Sequence, residues 1–228
     1  MLGRHATGVQ RRERKMLELA KGIHFPSKSE FCCTPEIKES EYIKAKEIFD
    51  SECENITNGY KIIIQNQKDT GYKYYFEINV DASLLWNLFW DIGDTLFDEL
   101  NNIYCIYGFK DSEDFELGDY KDKKYIKSVL QKYEYSIVND GFLSLGIAFD
   151  KGIVEEVLID SFKFLRVFTS QKEKLLSVLK KYNLSEKTDI RFIDEFAVVS
   201  ETVANQKNNL LHPEDIINEL NEVFKEKS

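Results

Sequence analysis

Carboxylates are the only reactive side chains this sequence supplies in number: 40 Asp and Glu and only 3 His in 228 residues. Asp91, Asp94 and Asp98 stand at i, i+3 and i+7, a spacing that aligns them along one side of a helix. Three aligned carboxylates could hold Mg²⁺ or Ca²⁺ if loop oxygens joined them. They could equally face a cationic partner, or stay solvated, the reading that asks least of them. The segment DSEDFELGDYKD gathers Asp111, Glu113, Asp114, Glu116 and Asp119 around Phe115 and Tyr120. As a plain loop it is solvated. As an interface, its acids would steer a basic partner while Phe115 or Tyr120 filled a central pocket.

Other chemistry is poorly served. The sequence has no GxGxxG or GxxxxGK[ST] phosphate loop, no HExxH zinc helix, no GxSxG elbow and no EF-hand pattern. A nucleophile–histidine system would have to use His5, His24 or His212, and His212 precedes Pro213 where a helix should start. The four cysteines form no CxxC pair. Cys32 and Cys33 are adjacent, and Cys105 lies in an apolar run typical of a small core residue. This usage fits a reducing compartment. No cofactor and no metal centre is expected. Trp86 and Trp90 read as core, and Tyr75 is the best single candidate for an exposed aromatic.

The elements that must position these residues show in the hydrophobic pattern. Tyr72, Tyr74, Phe76, Ile78 and Val80 alternate with Lys73, Tyr75, Glu77 and Asn79, the period of a strand with one buried face. With the β-rich run before it and turn chemistry at residues 68–71, this predicts an antiparallel hairpin over 60–80. Asp81 is placed as the N-cap of an amphipathic helix over 82–100. Further helices are expected over 11–21, 36–54, 121–135, 171–182 and after His212. Strands are expected over 103–109, 142–149, 153–159, 162–168 and 189–199. In the strand at 142–149 one face is small (Ser144, Gly146, Ala148), which invites a helix to pack on it. The order predicts an α+β fold, mainly an antiparallel sheet with helices packed against it.

Residues 1–35 read as a poorly organised basic segment and residues 36–228 as a single domain. Residues 1–15 hold Arg4, Arg11, Arg12, Arg14 and Lys15 against Glu13 alone, so the remainder is more acidic than the formal total of −9. An acidic body repels phosphate, so the core is not expected to bind nucleic acid. It attracts basic partners. No stretch reaches the roughly 18 apolar residues of a membrane span, no secretory h-region is seen, and a cytoplasmic location is expected.

Four segments carry a resemblance: DASLLWNLFWDIGDTLF, YCIYGFKDSEDF, NDGFLSLGIAFDKGIVEEVLIDSFKFLRVF and DIRFIDEF. A tryptophan-bearing helix, an acidic strand exit, an Asp-Gly turn into a β meander and a late aromatic strand follow one another. This succession, over about half the chain, resembles immunity proteins of bacterial polymorphic toxin systems. The resemblance implies a small cytoplasmic protein that blocks a toxin domain by occlusion, with no catalytic residues. The expected function is an acidic protein-binding domain whose partner is basic. The expected surface is built from Asp91, Asp94, Asp98 and the acidic loop. The alternative is a carboxylate-dependent, divalent-metal hydrolase using Asp91, Asp94, Asp194 and Glu195. Oligomeric state is not legible.

Overall fold

The structure, a computed structural model, describes residues 16–34, 36–66, 70–110, 115–206 and 209–225. In chain order its elements are β1 (Ile23–His24), α1 (Lys28–Phe31), α2 (Glu39–Glu52), β2 (Gly59–Ile64), β3 (Tyr74–Asn79), α3 (Ala82–Leu96), β4 (Asn102–Phe109), β5 (Glu116–Leu117), β6 (Lys121–Asp122), α4 (Lys123–Leu130) and α5 (Glu134–Asn139). They continue with β7 (Leu143–Phe149), β8 (Glu155–Ile159), β9 (Leu165–Thr169), α6 (Lys172–Lys181), β10 (Val199–Ser200) and α7 (Pro213–Phe224). The fold is α+β, as the order of elements predicts.

The main sheet runs β2-β3-β9-β8-β7-β4-β5, with β6 also pairing β4, and every one of these ladders is antiparallel. The predicted hairpin is β2–β3, in register from Gly59 opposite Asn79 to Ile64 opposite Tyr74. Alternation then divides the sheet into two faces. One face presents Phe76 and Ile78 of β3, Val167 of β9, Val157 of β8, Ile147 of β7 and Tyr107 of β4. These meet the buried stripes of the helices: Leu85, Leu88, Phe89 and Ile92 of α3, Ile126 of α4, Leu175 and Val178 of α6, and Ile216, Leu220 and Phe224 of α7. Trp86 and Trp90 are buried with them. Each such side chain contributes about 1.5–3 kcal/mol on burial, so this one layer dominates the stability. Gly93 sets how closely α3 approaches: a Cβ there would lie 2.7 Å from Ile147 Cδ1.

Several expectations need correction. Packing does not begin at residue 36. Leu17, Ala20 and Ile23 are buried, β1 pairs β10, and the Leu17 amide donates to the Ile56 carbonyl at 2.8 Å. Residues 16–20 are not helical; the rest of the helix expected over 11–21 lies outside the described residues. The helix expected over 121–135 is broken into α4, a 3-10 turn and α5. The strand expected over 189–199 is an irregular segment with a 3-10 turn at Ile193–Glu195, and only Val199–Ser200 pairs. Asp81 precedes α3 but does not cap it. Its carboxylate accepts from the Glu18 amide at 2.8 Å and from Asn58 Nδ2 at 2.7 Å, which ties three segments together. No helix among the described residues is long and apolar enough to cross a membrane.

Candidate functional site

All the helices that pack on the main sheet join the core on one of its sides. On the other side one buried cluster is made of sheet residues, Ile106, Ala148 and Leu158 with Tyr104 packed beside them, and a second joins Phe164, just before β9, to Ile190 and Phe192 of the irregular segment. The small face of β7 is therefore not a seat for a helix. Its gaps are filled sideways, by Ile106 from β4 and Leu158 from β8.

The register lays the side chains of this helix-free face out in rows. One row runs Ile63, Tyr75, Phe168, Glu156, Ala148, Tyr104, each directly opposite the next on adjacent strands. At about 4.8 Å per strand it spans about 24 Å. Aromatic rings stand on both sides of Glu156 in this row, with Ile63 beyond them at one end. Tyr75 stacks on Phe168 with ring centroids 4.7 Å apart, and Tyr72 meets Phe168 edge-on at 5.0 Å. Tyr104 meets Tyr120 at 5.2 Å. Burial, together with Asp150 nearby, pushes the Tyr104 phenol up to about 12. The next row runs Lys61, Glu77, Arg166, Leu158, Gly146, Ile106, Leu117.

The charges of the second row are matched. Lys61 Nζ lies 2.6 Å from Glu77 Oε2, and Tyr75 Oη donates to Glu77 Oε1 at 2.8 Å. Arg166 Nη2 lies 3.1 Å from Asp160 Oδ2. Burial first, and then Asp160, raises the Asp194 carboxyl at the border of this network. Glu156 differs: it is half-buried, and no described residue gives it a hydrogen bond or an ion pair. Burial alone holds its carboxyl above the usual carboxylate range.

No family model, no curated protein and no solved structure matches this chain. The reading of the site therefore rests on geometry.

The residues singled out by sequence do not make one surface. Asp111, Glu113 and Asp114 lie outside the described residues. Asp91 and Asp94 lie on the exposed side of α3 and Asp98 in the turn that follows it, and each already has a partner. Asp91 accepts from Tyr182 Oη at 2.9 Å, Asp94 binds Lys127 at 2.8 Å, and Asp98 binds Lys174 at 2.9 Å. The Lys174 contact holds the Asp98 carboxyl below its usual range. Glu116 is paired with Lys225 just after α7, on the helical side. The Asp119 amide donates to the Phe224 carbonyl at 2.8 Å. Of the described residues nominated for that interface, Phe115 and Tyr120 reach the helix-free face. Phe115 lies over Gly108, and Tyr120 packs on Tyr104 and Phe149 while hydrogen-bonding Asp150 at 2.5 Å.

Nor do Asp91, Asp94, Asp194 and Glu195 converge. The first two lie on the helical layer. Asp194 is beside Glu77 and Arg166 on the other face, and Glu195 Oε2 lies 3.0 Å from Arg191 Nε. A groove of about 530 Å³ beside α3 and α5 includes none of the four. Its polar groups are paired among themselves: Ser83 Oγ donates to Glu18 at 2.9 Å, and Lys21 Nζ to Tyr135 Oη at 3.2 Å. Among the described residues, His24, Glu30 and Glu201 bring possible metal-ligating atoms within 4.8 Å of one another. Glu30 is committed there to the cap of α1, accepting the Ser27 amide at 2.7 Å.

Sequence reasoning missed Glu156, Phe168 and Tyr104. A signal existed in the alternation of β8 and β9, but strand order, which sequence does not state, is what places them side by side.

Proposed function

We propose that this chain is a protein-binding domain that docks a basic partner on the helix-free face of its sheet. The observation that supports it is the face itself: no α-helix among the described residues packs on it, and aromatic rings share a row with Glu156, a carboxylate that no described basic residue pairs. Aromatic anchors ringed by matched polar groups are the composition of energetic centres in protein interfaces. The acidic balance of the chain would speed encounter with a basic surface. The resemblance to toxin-immunity proteins supplies the partner class, a basic toxin domain inhibited by occlusion. No observation favours a hydrolase.

The test is affinity capture from native lysate of the source organism, with the wild-type chain and with Phe168→Arg, each first shown folded by circular dichroism. The reading expects a basic protein bound near one-to-one by the wild type and at least tenfold less by Phe168→Arg. Its association rate should fall at least tenfold between 50 and 500 mM salt. An acidic or neutral partner, equal capture by both chains, or a salt-independent rate would overturn it.

A further inference from the structure

We infer that His24, Glu30 and Glu201 form a binding site for a divalent transition-metal ion of the zinc type. This goes beyond the docking reading and does not rest on it. The three side chains come from three segments: His24 from β1, Glu30 from α1 and Glu201 from just after β10. One ligand atom from each lies within 4.8 Å of the other two. Register brings the first pair together. In the β1–β10 ladder His24 is opposite Val199 and Ile23 opposite Ser200. One step further, the Glu201 amide donates to the Gly22 carbonyl at 2.8 Å. His24 and Glu201 are therefore diagonal neighbours on one face of the pair, within reach for long side chains. Gly22, opposite Glu201, adds no side chain to come between them.

The capping box of α1 supplies the third ligand. Glu30 Oε2 accepts the Ser27 amide at 2.7 Å, which fixes the carboxylate and leaves Oε1 beside His24 Nε2 at 3.2 Å. Ligating carboxylates are commonly held by such a bond to the far oxygen. Two ligands bound at about 2.1 Å and roughly 100° apart stand about 3.2 Å from each other, the separation seen here. The Glu201 carboxylate has no hydrogen bond or ion pair with any other described residue. An imidazole proton would answer Glu30 alone and leave two carboxylates converging on one ring. A doubly charged ion removes that repulsion. The donor set selects the ion: imidazole suits zinc and its neighbours, whereas Mg²⁺ and Ca²⁺ prefer oxygen ligands throughout. Bound there, the ion would clamp residues 24–30 to the chain after β10, reinforcing a ladder of two residue pairs.

The test is calorimetric titration of the metal-free full chain with ZnCl₂ at pH 7. The expected result is one ion per chain with a dissociation constant of about 10 μM or tighter, and a melting temperature that rises with zinc. His24→Ala and Glu201→Gln should each weaken binding about tenfold or more, since each removes a ligand. Both should melt like the wild type in EDTA, which separates loss of the ion from loss of the fold. Cys32 and Cys33 are free thiols at the end of α1, so Cys33→Ser should leave the affinity unchanged. Co²⁺ in place of zinc should give visible d–d bands without thiolate charge transfer. That spectrum reads the wild type alone, so it decides even where a variant folds poorly. No heat with zinc, equal binding by His24→Ala and Glu201→Gln, a thiolate band, or Mg²⁺ binding as tight as zinc would overturn the inference. None of these outcomes bears on the docking face, which the capture experiment tests by itself.

Discussion

Two residues carry charge where the fold gives it little support, and each predicts a measurable consequence. Burial pushes the Lys163 ammonium down to about 7 from 10.5, despite the nearby Asp140 and Asp160 carboxylates. Its Nζ donates to the Leu143 carbonyl at 2.5 Å from a backbone with φ of 64°. Between those two values the unfolded chain binds more protons than the folded one, so this group makes stability rise with pH from about 7 toward 10.5. Urea denaturation at pH 7 and pH 9 should show that rise in the wild type, and Lys163→Met should abolish it. Glu156 titrates in the opposite sense. Burial raises its carboxyl, so the ionised form costs stability as pH climbs from 4.5 through the folded value. Glu156→Gln should therefore raise the melting temperature at pH 7 by about 1–2 °C, a gain of ~0.5 kcal/mol. A drop in melting temperature would show that the carboxylate is structural. Neither residue stands out in the sequence, because burial and the absence of a partner are properties of the packed chain.

At the scale of elements, the pattern of apolar residues carried most of the information. The hairpin β2–β3, the bulky helix α3 and the strand β9 are legible because each buries one face more than the other, and a one-residue slip would expose it. Where the sequence misled, a different force prevailed. Asp81 has the residue type and position of an N-cap, yet its carboxylate is taken by the Glu18 amide and Asn58. The apolar residues at 189–199 pack under α2 and against Phe164 rather than alternating in a ladder, with Phe49 meeting Phe196 and Phe164 meeting Phe192. The segment from residue 16 is the clearest case, since its few apolar residues give no period. Its attachment depends on Gly22, where a Cβ would lie 2.4 Å from the Glu201 carbonyl oxygen and 2.6 Å from that of Asn139. Both obstacles are backbone and cannot swing aside. Gly22→Ala should destabilise the protein by about 2 kcal/mol or more in urea denaturation, whereas a change under 0.5 kcal/mol would mean that the junction yields.

At the scale of the whole molecule, the sequence pointed to charge and the structure redistributes it. Asp91 and Asp94 of α3 and Asp98 just beyond it, the most regular acidic pattern in the chain, are each occupied by Tyr182, Lys127 or Lys174 from in or next to neighbouring helices. Exposed pairs of this kind contribute only about 0–1 kcal/mol each, but they leave that side of the molecule less negative than the sequence suggests. The candidate site lies instead on the opposite face of the sheet and depends on five ladders being in register. That is why few of the described residues singled out by sequence arrive there: Phe115, Tyr120, Tyr75 and Asp194. Hydrogen–deuterium exchange of the complex with the captured partner tests this division most directly. The account predicts slowed exchange in peptides covering β3, β8 and β9, and exchange unchanged by the partner in α3 and α6. Protection confined to α3 and α6, with β8 and β9 exchanging as in the free chain, would contradict it.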